Sequence, residues 1–418
     1  MWMWLYADQF IFGGEGSITM PVFLDEVPAA IPKVHRPDTR KWSGLLIFLL
    51  IVGCVLSFLF WTGAKEGLVF WFTALGLPLC LWGMFFGLRR IAYKTDQVWA
   101  ESWNANRKVL WNEEILRGQR FAWLIASGVT TQSGSRTDKI LSAIQSSYPI
   151  IQVQKTRGGN YVRHSKLPGF EECQSAEFCE AIKTLIMQIK PVLAKIPSDI
   201  TCWLIADFDT PELPDALPIA LELISSETGR SFILLKNNGF EALDSWLDNT
   251  WRKPSLLLSI SAEIRQAPRE GEGEAITLIL MLNRKHSDIP DAVQLHRPER
   301  YKNDSLTKTL SRALIWSQLL PEEVKGSCIT GLNFSQDVEW YSACAENNLS
   351  LDMTEDHKNI DDFIGYGGVS APWLAVAISS LVARSGAAQV IAVGTDTNDI
   401  WIAGVTPGDD TGTRQGTL

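Results

Sequence analysis

The residues able to do chemistry are scattered along this chain of 418 residues. It has seven cysteines and five histidines, with no CxxC pair and no HExxH, so neither a zinc site nor a redox dithiol is legible. An odd, dispersed set of thiols fits a reducing compartment, not a disulfide framework. Cys173 and Cys179 stand in EECQSAEFCEA among Glu171, Glu172, Glu177 and Glu180. Neighbouring carboxylates raise a thiol's pKa, the wrong direction for a nucleophile. Cys202, Cys328 and Cys344 fall in apolar runs and read as core residues. His357, in EDHKN, reads as a solvated loop residue. Asp207 and Asp209 follow WLIA, at a strand end where α/β proteins place ligands. A carboxylate pair there binds a cation or, more commonly, caps a loop. Arg269, Glu270, Glu272 and Glu274 read as a solvated hairpin turn. The last pattern is IGYGGVSAPWLAVA, from Ile364 to Ala377, a glycine-rich turn ahead of a small-residue run. Such turns hold an anion or place a reactive group at a helix start. With no nucleophile or base beside it, this one reads as structural. Gly365, Gly367 and Gly368 let the backbone turn tightly, and Ala371 to Ala377 let the next helix pack close to a sheet.

Two apolar segments dominate the hydropathy. Gly44–Gly63 and Leu68–Leu88 are each about 20 residues long and uncharged, the length that crosses a hydrocarbon core of about 30 Å. Pro78 is tolerable in a membrane helix. Lys33, Arg36, Arg40 and Lys41 precede the first span, and Arg89, Arg90 and Lys94 follow the second. The positive-inside rule then puts both termini in the cytoplasm. Trp42 and Trp61 sit where an interfacial belt belongs, and Gly83 with Gly87 makes a GxxxG that could pack on Gly53 and Ser57. The expected organisation is a cytoplasmic tail at 1–41, a transmembrane hairpin at 42–93, a juxtamembrane helix at 94–120, an α/β body at 121–408 and a disordered tail at 409–418. No secretory signal is visible, and translation starts at Met1 or at Met20. A net charge of -9 with no basic run excludes nucleic acid as a partner.

Beyond the spans, strand-like and helix-like segments alternate. FAWLIASGV, IIQVQKT, TCWLIADFD, SFILLKN and SCITGLNF read as strands. The helices between them include CEAIKTLIMQIKPVLAKI, LPIALELISSETG, ALDSWLDNTW, SLTKTLSRALIWSQLL and DVEWYSACAENN. PSLLLSISAEI with AITLILMLNR, and QVIAVG with DIWIAGVTP, read as hairpins. This alternation predicts a sheet covered by helices on both faces, and the series repeats in outline after His296.

Pro254 to Pro407 resembles the thiolase-like condensing enzymes. The likeness is carried by PSLLLSISAEIRQAPREGEGEAITLILMLNR, GSCITGLNFSQDVEWYSACAENN and the block from Ile364 to Pro407. A narrower likeness joins the anchor, ADFDTPELPD (Ala206–Asp215) and DAVQLHRPER (Asp291–Arg300) to thiolase-like lipase-adaptor proteins of bacterial type VI secretion. The resemblance implies a layered α/β domain of two related halves, with a homodimer formed through it. It also implies a cysteine at a helix start and two histidines, or a histidine and a cysteine. Here Ile364-Gly365-Tyr366-Gly367-Gly368 stands where one histidine should precede the glycine turn, so that histidine is absent, and His-Gly-Thr-Gly is missing. The expectation is therefore a bacterial inner-membrane protein that is not an enzyme and needs no cofactor or metal. It would serve as an adaptor for a secretion component or a lipase effector. The alternative is an acyl-transfer or condensing enzyme of lipid metabolism with a non-standard site.

Overall fold

The computed structural model describes residues 24–408 apart from 64, 136, 146–148, 171–173, 302–304, 353–354 and 396–398. The tail up to 23, the Met1 or Met20 start, Cys173 and residues 409–418 lie outside the described residues. The chain divides into two compact units, Phe23–Glu114 and one that includes Ile115–Leu418.

In the first unit, α1 (Thr39–Phe60) starts at Asp38, whose carboxylate accepts the Arg40 N–H at 3.0 Å. A helical turn at Leu68–Trp71 passes through a π-helical stretch at Phe72–Gly76 into α2 (Leu77–Gly118). α1 and the helix from Leu68 onward are both long and apolar enough to cross a membrane. The stretch expected as a separate juxtamembrane helix is continuous with the second of them. Pro78 has no N–H for the Ala74 carbonyl, which explains the π-helical offset just before it. A side chain on Gly53 would stand 2.6 Å from that carbonyl and run into the Pro78 ring. Gly53 is thus the close-approach residue, as expected, but its partner is not the GxxxG pair. Gly83 and Gly87 face open space.

The second unit carries the sheet. Its first half runs β1 (Phe121–Thr130), α3 (Thr137–Gln145), the paired β2 (Gln152–Lys155) and β3 (Tyr161–His164), and α4 (Ser175–Leu193). Then come β4 (Thr201–Asp209), α5 (Ala216–Thr228), β5 (Phe232–Leu234), α6 (Gly239–Asn249), β6 (Ser255–Glu263) and β7 (Ala275–Leu282). The second half runs β8 (Val293–His296), β9 (Glu299–Arg300), α7 (Leu306–Ser317), β10 (Val324–Thr330) and α8 (Phe334–Glu346). It closes with β11 (His357–Asn359), α9 (Ile360–Ile364), α10 (Ala371–Arg384), β12 (Ala388–Gly394) and β13 (Ile400–Thr406).

The strand order is β11-β10-β12-β13-β8-β1-β7-β6-β4-β5. Read outward from the central antiparallel pair β1–β8, both halves are the same. β7, β6, β4 and β5 follow β1 as β13, β12, β10 and β11 follow β8. The directions match too: β4 is parallel to β5 and β6, β10 is parallel to β11 and β12, and β6–β7 and β12–β13 are antiparallel. Two related halves are therefore a property of the topology.

Side chains alternate across a strand, and β1 shows the layering. Ala122 and Leu124 join the core built with α6 and α10, while Phe121, Trp123 and Ile125 join the core built with α4 and α5. In the second half, α7 and α8 enclose a third core with β10, β12 and β13. β6 is buried at every position, so Ser259, Ser261 and Glu263 are enclosed along with its apolar residues.

Candidate functional site

In a parallel α/β sheet the carboxyl ends of the strands collect the helix starts and the turns that can meet a ligand. Here β4 and β6 end together, Asp207 opposite Ser261 and Asp209 opposite Glu263. Asp207 is buried, and its carboxylate accepts the Gly239 N–H at the start of α6 at 3.0 Å and the Trp373 Nε1–H of α10 at 2.9 Å. Burial pushes its pKa up to about 6, against the pull of those two hydrogen bonds. It is a cap, the commoner of the two roles expected of it, and it ties the starts of α6 and α10 together. The Phe240 and Trp373 rings meet edge to face at 5.7 Å.

Glu263 ends β6 and is fully buried. The Val369 N–H donates to it at 3.1 Å, and the Arg265 Nε pairs with it. Burial raises its pKa to about 7, because desolvation outweighs the attraction of Arg265 while Asp209 adds repulsion. Arg265 also donates to Glu272 at 3.0 Å and lies 3.7 Å from Asp209. Asp209 is half exposed and Arg265 partly so, so this pair is the solvent-facing edge of the group. Glu274 is buried, held by Arg157 and by the N–H groups of Leu167 and Arg265, both at 2.9 Å. The solvated-turn reading therefore holds for Arg269 and Glu270 and fails for Glu272 and Glu274. Their carboxylates have cationic and backbone donors within reach, a pairing that a linear sequence does not display.

The glycine turn wraps this carboxylate. Gly365 has φ +86°, and a side chain on it would stand 2.7 Å from the Glu272 backbone. Gly368 has φ +50°, and a side chain there would run into the Glu263 carboxylate itself. Gly367 instead has φ -86°. Tyr366 joins the turn to the first half through the isolated bridge to Glu272, and its ring packs against Gly331 of the second half, just past β10. There Asp361 accepts the Thr330 hydroxyl at 2.6 Å and the Gly331 N–H at 2.7 Å, and burial pushes its pKa up to about 6.

The thiols stand apart from this arrangement. Cys202, Cys328 and Cys344 are buried, as expected, and desolvation raises the pKa of each, that of Cys344 to about 12. The α6 and α10 starts carry Gly239 and Phe240, and Ala371 and Pro372. His357 is not the solvated loop residue its EDHKN setting suggested. It lies buried on β11, with Nδ1 against the Ser327 hydroxyl and the ring edge to face with Tyr341. Burial lowers its pKa. No metal-holding group of His, Cys, Asp and Glu occurs among the described residues. Glu263 and Arg265 went unrecognised in the sequence. The one signal was a carboxylate, the strand's single charged residue, closing the apolar- and serine-built SLLLSISAE.

No protein-family model and no curated protein matches the chain. Solved structures do. The ketosynthase from module 6 of the bacillaene synthase of Bacillus subtilis is 7% identical with a TM-score of 0.52, over 70% of this chain and 71% of that one. An oxazolomycin ketosynthase domain of Streptomyces albus is 8% identical with a TM-score of 0.52, over 71% and 77%. OleA of Xanthomonas campestris is 12% identical with a TM-score of 0.42, over 68% and 98%. The fold is the thiolase-like fold of the condensing enzymes. The expectation that the chain is not an enzyme is corrected by this finding, since the structures sharing its fold are ketosynthases. The physical error lay in equating one missing Cys/His set with missing chemistry. The fold gathers strand ends and helix starts, and other titratable groups can occupy them.

Proposed function

We propose that the protein is a membrane-anchored enzyme of acyl-group chemistry, of the acyl-transfer or condensing class, with Glu263 as its proton-transfer group in place of a cysteine–histidine set. One observation carries this reading. A fully buried carboxylate with a pKa of about 7 ends β6, inside the turn that opens α10. A general base works best with a pKa near the operating pH, and strongly perturbed carboxylates at strand ends mark candidate sites. In this reading Glu263 takes the α-proton of one acyl thioester, the carbanion attacks the carbonyl of a second, and the thiolate displaced by C–S cleavage takes up the proton and leaves as free thiol. Arg265 and the Val369 N–H steady the carboxylate, and the substrate enters past Asp209. The two apolar helices hold the site beside a membrane, which favours acyl chains as substrates.

The test is thiol release from a panel of acyl-coenzyme A thioesters by the purified full-length protein in mild detergent. Glu263→Gln is expected to lower kcat/KM by about 100- to 10,000-fold. The triple Cys202→Ser, Cys328→Ser, Cys344→Ser variant should retain turnover. Wild-type protein that releases no thiol from any of the thioesters, or Glu263→Gln with full activity, would overturn the reading.

A further inference from the structure

In the first unit, α2 carries Phe86, Arg90, Tyr93, Lys94 and Gln97 on one face, spaced i, i+4, i+7, i+8 and i+11. With Arg36 opposite, they line an open cleft of about 480 Å³. Arg36 is held there by the segment ahead of α1, which is tied down along α2. The Asn104 side chain accepts the Ile31 N–H at 2.9 Å and donates to the Ile31 carbonyl at 3.0 Å. Arg107 donates to the Pro28 carbonyl at 2.7 Å. Folding thus collects three cations around one concavity. Arg36 and Arg90 have no ion-pair partner among the described residues, and Lys94 meets no acid there, reaching Gln97 at 3.1 Å and lying 5.9 Å over the Tyr93 ring. Asp38, the nearest acid in sequence to Arg36, is occupied as the cap of α1. Like charges held together call for an anion, and guanidinium groups match phosphate oxygens in pairs.

The depth of the cleft says which anion. Trp82 donates to the Trp42 carbonyl at 2.8 Å and stacks on Phe86 at 5.0 Å, so an indole pair adjoins the cleft. Aromatic clusters of this kind sit at the headgroup level of a bilayer. The cleft lies just beyond the apolar part of both helices, where phosphates of one leaflet stand. We propose that it binds the phosphate headgroup of an anionic phospholipid, with Arg36 and Arg90 on the phosphate oxygens and Phe86 and Tyr93 against the glycerol end. The proposal rests on the two apolar helices being membrane spans and is independent of the chemistry at Glu263.

The test uses full-length protein in nanodiscs of phosphatidylcholine doped with phosphatidylglycerol, with retained lipid read by native mass spectrometry. Arg36→Gln with Arg90→Gln should weaken retention of phosphatidylglycerol about 10- to 30-fold, the worth of two basic side chains at a membrane surface. Arg36→Lys with Arg90→Lys should lose less. Lys41→Gln with Arg89→Gln, which removes the same charge outside the cleft, should lose clearly less retention than the cleft pair, because no paired guanidinium contact to phosphate is lost with it. Equal losses in the two Gln pairs would overturn the proposal, because a diffuse basic belt would then account for binding. So would full displacement of the lipid by excess inorganic phosphate, or failure of the protein to enter nanodiscs.

Discussion

Removing the Asp248 carboxylate tests how the first half of the sheet is joined to the second. Asp248, near the end of α6, accepts five hydrogen bonds from three guanidinium groups. Arg117 donates at 3.1 and 2.6 Å, Arg120 at 2.7 Å, and Arg297 at 2.9 and 2.8 Å. Arg297 follows β8, is only 2% exposed, and pairs also with Asp244. Arg117 and Arg120 are 25% and 22% exposed, so water replaces much of what they lose, and each contributes about 1 kcal/mol or less. Arg297 dominates, because Asp248→Ala leaves a buried cation facing Asp244 alone. Breaking a buried pair from one side costs about 3–5 kcal/mol. For a unit of roughly 300 residues, with an unfolding entropy of about 2 cal/mol/K per residue, that lowers Tm by about 5–8 °C. The pH dependence supplies a second readout. Burial raises the Asp248 pKa, but the hydrogen bonds from Arg297 and Arg117 outweigh it and hold it at about 2. A depressed folded pKa means the contribution is complete above the unfolded value of about 3.8 and is lost as pH falls through 2. Thermal unfolding of the full-length protein in detergent should therefore show a large gap between wild type and Asp248→Ala at pH 7 that narrows below pH 3.8. A loss under about 1 kcal/mol at pH 7, or a gap that widens in acid, would refute the reasoning.

Glu263 should behave in the opposite sense. Its folded pKa of about 7 stands above the unfolded 4.5, so the folded state binds the extra proton and stability falls as pH rises between those values. Glu263→Gln should thus gain up to about 3 kcal/mol over wild type above pH 8, and the gain should vanish below pH 4.5, as read by urea unfolding. A pH-independent difference would show that the carboxylate is not desolvated in the folded state. Iodoacetamide should label Cys202, Cys328 and Cys344 far more slowly than a free cysteine, because all three are buried with raised pKa values. Rapid modification of any one, located by peptide mass mapping, would reopen the case for a thiol nucleophile.

The sequence by itself determined the elements whose signal is local. TCWLIADFD is β4 to the residue, the helix in LPIALELISSETG stops at Gly229 in the left-handed region with φ 65°, and PSLLLSISAEI and AITLILMLNR pair as β6 and β7. Apolar runs, amphipathic spacing and a glycine stop are all written within one segment, so reading along the chain finds them. The two apolar helices were legible for the same reason. What depended on segments far apart was not legible. β8 is only four residues long, yet it is the strand on which the halves meet, and its pairing with β1 spans more than 160 positions of sequence. His357 stood in a polar run and was buried by β10 and α8. Glu272 and Glu274 looked solvated until Arg265 and Arg157 were folded against them. Glu263 is the clearest case. Its residue type was visible throughout, but its buried position inside the Gly367–Val369 turn comes from a segment 106 positions further along the chain folding back on it. Charge pairing and desolvation act through space, and the tertiary structure alone decides which distant groups share that space.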